Sequence, residues 1–160
     1  MLGLFLTTSA GTYEITSLAK QITWSGSLSQ GARTLSFDMA SPPYGPAVTV
    51  PELPPGAGVA FYQDERLLFS GFVISRSRAA ESGSVSVTCY DRGFYLLKNQ
   101  GIYQFRAQTP AAIVRRVCAD FGIQTGILAD PETKVTRNFI GTALYKILMT
   151  AYTLAAEEDG

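Results

Sequence analysis

The 160-residue sequence contains no histidine, only two cysteines and only 16% charged residues. The absence of histidine excludes the Ser-His and Cys-His nucleophile pairs and nearly all common zinc sites. Thirteen basic residues balance thirteen acidic ones without forming a basic stripe, which argues against nucleic acid as a partner. The composition is that of a globular protein with a weakly charged surface.

Long hydrophobic runs are also missing. No stretch approaches the roughly eighteen apolar residues of a membrane span. The start, "MLGLFLTTSAG", has a short apolar run with no basic residue before it, so we expect no secretory signal peptide. Cys89 and Cys118 lie far apart and outside any CxxC pattern, and we expect both to be buried free thiols in a reducing compartment.

The first ninety residues show the pattern of short strands separated by turns. The segments "ARTLSFDMA" and "GSVSVTCY" alternate between apolar and polar residues, and "QITWSGS" puts Ile22 and Trp24 on one face. The segment "GVAFYQDERLLFSGFVISRS" predicts two strands joined by a tight turn at residues 63–66. The predicted inward residues are Leu35, Phe37 and Met39 in the first segment, and Val85, Val87 and Cys89 in the second.

A proline-rich segment, "SPPYGPAVTVPELPPG", separates these strands at residues 41–56 and holds six of the eight prolines. Proline cannot donate a hydrogen bond to a strand ladder, so the segment predicts an extended loop. Because strands of similar character lie on both sides, we expect a long loop within one domain, and such loops often contact partners.

The pattern becomes helical after Asp91. The segment "TPAAIVRRVCADFG" has Thr109 as N-cap, Pro110 as first helical residue and Gly122 just past the end. A second helix is predicted after Gly141, with Thr142 as candidate cap. The predicted apolar stripes are Ile113, Val114, Val117, Cys118 and Phe121 in the first helix, and Leu144, Ile147, Leu148, Ala151, Tyr152 and Ala155 in the second.

These patterns predict a mainly β chain with an α+β segment: a β-barrel over residues 1–90 and an α+β domain with two helices over residues 91–160. Only "GIYQF" and part of "KVTRNFI" are available as strands for the second domain. The acidic residues 157–159 fall at a helix C-terminus, where the helix dipole favours cations. We therefore predict that the second domain is incomplete and that the chain is an N-terminal fragment of a longer protein.

Tyr90, Asp91 and Arg92 form the most concentrated group of functional side chains, directly after a predicted strand. An acid–base site would need a second carboxylate or a base nearby, and the neighbouring sequence offers none. Asp91 instead favours the role of cap for a short helix through "RGFYLLKN". We interpret the triplet as a joint between a sheet and a helix.

The other polar candidates are equally weak. Asp64 and Glu65 fall in the predicted hairpin turn, Asp130 precedes a proline, and "RSR" at residues 76–78 is a small basic patch at a strand end. The glycines form neither GxGxxG nor GxxxxGK[ST], so the usual nucleotide-binding loops are absent. We predict no catalytic, cofactor-binding or metal-binding residues and no cofactor.

The order of these segments resembles the XkdQ/YqbQ-like proteins of phages and defective prophages, which belong with the baseplate hub proteins of contractile and other long tails. The resemblance runs from about residue 11 to the end and rests on "TWSG" to "ARTLSF", "CYDR…YLLKNQ" and the helix ending in "TAYTLA". The chain departs from the family in having Asp64-Glu65 where Asp-Gly is common at the hairpin tip. It is also shorter than family members.

The resemblance implies a structural role in a trimeric ring whose tail-tube-like barrels join the tail tube to the spike. Its expected partners are further copies of the chain, the tube protein and the spike protein, with no nucleic acid and no membrane. The expected location is the bacterial cytoplasm during assembly and then the baseplate of the virion. A closed ring of this kind needs a rotational interface between copies.

Two other classes of function stay open. One is a tail-associated enzyme that degrades peptidoglycan, and the other is a module that binds host carbohydrate. Tyr44, Tyr62 and Tyr103 are candidates for a sugar-binding platform, although tyrosine is also enriched at protein interfaces.

The proposed cap at Asp91 gives a first prediction. Replacement of Asp91 by alanine should lower the free energy of unfolding by about 1 kcal/mol, because a lost N-cap leaves backbone N–H groups at the helix start without an acceptor. Thermal unfolding measures the change. An unchanged melting temperature would rule out the cap.

Overall fold

The computed structural model describes residues 1–27, 30–40, 52–79 and 84–158 of the chain. The chain divides into two compact units, residues 1–92 and residues 93–160. The strands of the first unit are β1 (Leu2–Thr8), β2 (Gly11–Glu14), β3 (Ala19–Ser25), β4 (Thr34–Ala40), β5 (Gly58–Gln63), β6 (Arg66–Ala79) and β7 (Ser84–Asp91). The second unit contains α1 (Gly93–Lys98), β8 (Gln100–Gln108), α2 (Pro110–Asp120), β9 (Val135–Ala143) and α3 (Leu144–Glu158).

The first unit is one antiparallel sheet in the order β2-β1-β5-β6-β7-β4-β3. Its two edge strands, β2 and β3, are neighbours in sequence and are joined only by residues 15–18, which include a 3₁₀ turn. Six inter-strand spacings would separate the edges of a flat sheet by about 29 Å. The connection spans at most roughly 18 Å. The sheet must therefore curl.

The curled sheet is a half-barrel, whereas the sequence predicts a barrel. Within the described ranges no ladder joins β2 to β3. In the turn that connects them, the amide of Ile15 donates to the carbonyl of Leu4 in β1 (2.8 Å), and the amides of Leu18 and Ala19 donate to the carbonyl of Ile15 (3.0 and 3.1 Å). These bonds satisfy backbone groups of the turn itself.

The core of the first unit lies on the concave face of the sheet. The alternation predicted for β4 is confirmed, because Leu35, Phe37 and Met39 are all buried. In β7, Val87 and Cys89 are buried as predicted, and Val85 is half-buried against the same core. Each fully buried side chain of this size contributes about 1.5–3 kcal/mol relative to an exposed one.

The hairpin between β5 and β6 turns at Asp64 and Glu65, within the predicted residues 63–66. Both residues have positive φ, 48° and 67°, as a two-residue type I′ turn requires. The departure from Asp-Gly therefore leaves the tight turn in place.

In the second unit, β8 and β9 form a two-stranded antiparallel sheet, and their side chains share one core with those of α1, α2 and α3. The start of α2 is as predicted: the Thr109 hydroxyl accepts a hydrogen bond from the amide of Ala112 (3.3 Å) and Pro110 is the first helical residue. Gly122 follows the helix with φ 62°, a left-handed conformation that glycine adopts readily.

Two details of the sequence prediction are wrong. Thr142 lies in β9, opposite Gly101, and does not cap α3, because the strand continues to Ala143 before the helix begins. Phe121 is 38% exposed, because it follows the last turn of α2 and lies outside the buried stripe.

Trp24, which the sequence places on one face with Ile22, pairs with the buried Leu35 and is itself 40% exposed.

The proline-rich loop lies mostly outside the described residues, since these resume only at residue 52. The described end of the loop is anchored to the half-barrel. Leu53 is buried in its core, and the amide of Gly56 donates to the carbonyl of Val73 (2.8 Å).

Gly71 is the position in β6 where the backbone of β7 comes closest. A Cβ atom at Gly71 would lie 2.2 Å from the carbonyl oxygen and 2.7 Å from the carbonyl carbon of Tyr90. Backbone atoms inside a sheet cannot move away as a flexible side chain can. Only glycine therefore fits at this position.

We predict that replacement of Gly71 by alanine lowers the free energy of unfolding by about 1–3 kcal/mol, as overpacking of a close-packed site does. Urea unfolding measures the change as a lower midpoint. Replacement of Gly58 by alanine is the matched control, because its Cβ would meet Thr7 Cβ at an ordinary 3.5 Å. Equal midpoints for the two variants would contradict the close approach.

Candidate interaction site

The triplet at residues 90–92 has structural contacts within the first unit. Tyr90 and Asp91 are the last residues of β7, and the Asp91 amide donates to the carbonyl of Arg33 (3.1 Å). The Arg92 guanidinium lies over the ring of Phe72, 5.7 Å from its centroid. Helix α1 begins at Gly93, so Arg92 directly precedes it, and the capping role of Asp91 stays a prediction.

The other polar candidates are dispersed. Asp64 accepts a hydrogen bond from the amino terminus at the hairpin, and Asp130 lies 3.9 Å from Arg115 in the second unit. Arg76, of the predicted basic patch, donates to the carbonyl of Leu53 (3.1 Å). Among the described residues, no three His, Cys, Asp or Glu side chains are grouped so that they could hold a metal ion.

Both cysteines are buried and free, as the sequence predicts. Burial raises the pKa of the Cys89 thiol to about 12, and it also raises the pKa of the Cys118 thiol. A thiol is nucleophilic only as its thiolate, so neither side chain is prepared for attack.

The three tyrosines considered for a sugar platform do not form one group. Tyr44 lies outside the described residues. Tyr62, in the first unit, makes an edge-to-face contact with Phe5, with ring centroids 5.7 Å apart. Tyr103, in the second unit, stacks on Phe105 at 5.6 Å and donates its hydroxyl to Asp120 (3.0 Å); burial and this hydrogen bond raise its pKa.

The outer face of β1, β2 and β5 carries a groove, which we call the β1 groove. Its volume is about 900 Å³. The residues that line it are Met1, Leu2, Gly3, Phe5, Thr7, Thr12, Glu14, Ala60, Tyr62, Asp64 and Glu65. Sequence reasoning missed this site.

The β1 groove has an apolar floor and acidic margins. The ring of Phe5 lies over Gly3, where an added Cβ atom would come within 3.0 Å of it, so the floor consists of Ala60 and the rings of Phe5 and Tyr62. Three carboxylates, those of Glu14, Asp64 and Glu65, complete the lining. This arrangement can accommodate an apolar group that carries a positive charge.

Two solved structures have the same fold. The 43 kDa tail protein of prophage MuSo2 from Shewanella oneidensis superposes with a TM-score of 0.75 at 17% sequence identity, over 96% of this chain and 49% of that protein. The tail protein from Neisseria meningitidis MC58 superposes with a TM-score of 0.67 at 12% identity, over 92% of this chain and 44% of that protein. At these identities the likeness defines the fold alone.

A profile of the YqbQ-like family matches residues 22–160, and the chain belongs to this family. The phage-like element PBSX protein XkdQ of Bacillus subtilis strain 168 is 31% identical over 109 residues, 66% of this chain and 32% of XkdQ. The uncharacterized protein YqbQ of the same strain is 30% identical over 107 residues, again 66% of this chain and 32% of the relative. The resemblance drawn from the sequence is confirmed. The chain spans about a third of the length of these relatives.

No helix among the described residues is both long enough and apolar enough to cross a membrane.

The buried thiols give a prediction that separates packing cysteines from reactive ones. At about pH 8, neither Cys89 nor Cys118 should react with Ellman's reagent in the folded chain, because burial keeps both thiols protonated and covered. Both should react once guanidinium chloride unfolds the protein. Rapid labelling of a thiol in the folded state would contradict the packing role.

Proposed function

We propose that this chain is part of a structural protein of a phage or prophage tail and that it has no catalytic activity. The observation that carries the proposal is the fold, which a prophage tail protein and a second tail protein share over more than nine-tenths of the chain. Family membership with the PBSX protein XkdQ supports the same role. The buried, protonated thiols are in keeping with a packed structural protein.

More specifically, the proposed role is in the baseplate hub, as part of a trimeric ring between the tail tube and the spike. In this role residues 1–90 act as a tail-tube-like barrel unit, and residues 91–160 are the first part of an α+β domain. Among the described residues, β2 and β3 are the edge strands of the half-barrel, and edge strands of this kind are sites where another chain can pair. The other partners in the proposal are the tube and spike proteins.

The length of the curated relatives supports the view that residues 91–160 are only part of a domain. The chain covers 32% of XkdQ, so relatives have ample sequence to extend the two-stranded sheet of β8 and β9. An isolated two-stranded sheet is marginal in water and needs further strands or packed helices. The helices α2 and α3 provide such packing here.

The experiment that tests the ring is light scattering of this chain over a concentration series. If the half-barrel carries the ring interface, the solution mass approaches three times the monomer mass of 17.2 kDa. A mass of one chain at every concentration would show that residues 1–160 do not carry the interface.

A turbidity assay on bacterial cell walls tests the structural role against a wall-degrading one. We expect no clearing of the suspension by this chain. If the clearing activity co-elutes with the purified protein in a further chromatography step, the proposal is wrong.

A further inference from the structure

The β1 groove combines features that the outer face of a soluble sheet usually lacks. Outward positions of such a sheet are normally polar, because they face water. Here, adjacent outward positions hold Gly3, Phe5, Ala60 and Tyr62, and the two rings pack edge to face. Contiguous apolar patches on a protein surface often mark interaction sites, whereas single exposed apolar residues are common and need no such explanation.

The charged side chains around the β1 groove have one sign. Glu14, Asp64 and Glu65 line it, and among the described residues no Lys or Arg side chain does. Arg66 follows Glu65 in the hairpin but is outside the lining. The single cation in the lining is the amino terminus of Met1, which already donates to Asp64.

The Glu14 carboxylate is held in place by the turn that follows β2. Its Oε1 accepts a hydrogen bond from the Thr16 hydroxyl (3.2 Å), and the same hydroxyl accepts one from the amide of Leu4 (2.8 Å). A carboxylate positioned in this way loses less side-chain entropy when it binds a cation. Glu65 is exposed at the tip of the hairpin.

We propose that the β1 groove binds an arginine or lysine side chain presented by a neighbouring protein chain. The aliphatic stem lies on the floor of Ala60, Phe5 and Tyr62, and the charged head meets the acidic margin to which Glu14 and Glu65 contribute. Long cationic side chains bury their stems in this manner while the head stays hydrated. The rings of Phe5 and Tyr62 add a favourable cation–π environment.

This inference deepens the proposed function and rests on it for the class of partner, another tail protein. The site itself is tested on the isolated chain. Ring formation is measured by solution mass and cation binding by titration, so either idea can fail while the other holds.

The test is a titration of the isotope-labelled chain, followed by NMR, with a blocked Leu-Arg-Leu peptide. The matched control peptide replaces arginine by citrulline, which keeps the shape and removes the charge. We expect saturable shifts of amides in β1, β2, β5 and the hairpin, with affinity at least ten-fold weaker for the citrulline peptide. A Leu-Lys-Leu peptide should shift the same amides.

Variants make the assignment to the groove specific. The double variant Glu14→Gln with Glu65→Gln keeps hydrogen-bonding capacity while removing two charges, and it should weaken binding of the arginine peptide at least ten-fold. The control is Asp130→Asn, which removes an exposed carboxylate from the other unit and should leave binding unchanged. The amide spectrum of each variant confirms that the chain is folded.

Four results would overturn the proposal. These are the absence of saturable shifts, equal binding of the arginine and citrulline peptides, shifts centred away from the groove, and binding that the double variant leaves unchanged. Equal binding of the two peptides would identify an apolar site with no preference for a cation. Binding that the double variant leaves unchanged would place the charge recognition elsewhere.

Discussion

The structure of the first unit depends on one short connection. Residues 15–18 lead the chain from the edge strand β2 to the opposite edge strand β3, although five strands lie between them in the sheet. This length cannot bridge the edges of a flat sheet, so the curl follows from chain geometry. Ile15, fully buried at this corner, packs in the core that the curl encloses. The corner therefore sets both the shape of the sheet and the position of its hydrophobic face.

The curled sheet also contains a close contact between two neighbouring strands. β6 and β7 approach so tightly at Gly71 that no side chain fits above the carbonyl of Tyr90. Register shifts accompany the bending, one between Val73 and Ser75 in β6 and another between Lys20 and Thr23 in β3. Bulges of this kind increase local twist and let an antiparallel sheet bend. In β3 the irregularity includes Gln21, whose φ is positive at 50°.

Local patterns in the sequence predicted local structure well, and they failed where distant strands decide the outcome. The alternation in β4 and the cap at Thr109 are short-range signals, and the structure confirms both. Thr142 was misassigned because its pairing with Gly101 depends on a strand more than thirty residues away. The β1 groove was missed for the same reason, since β1 lies between β2 and β5 and no local signal predicts the second pairing. Its one sequence signal is the alternation of Leu4 and Leu6 with Gly3 and Phe5, which distinguishes the two faces of β1.

The same curl that encloses the core also accounts for the groove on the opposite face. Side chains on the convex side of a bent sheet spread apart, so gaps open between them unless large residues fill the space. On β1 and β5 the convex positions include Gly3, which the ring of Phe5 covers, and Ala60, whose small side chain leaves space beside the rings of Phe5 and Tyr62. The hairpin at Asp64 and Glu65 then brings two carboxylates to the end of this gap. A folding constraint on one face thus produces, on the other, a concave acidic surface suited to a cationic partner.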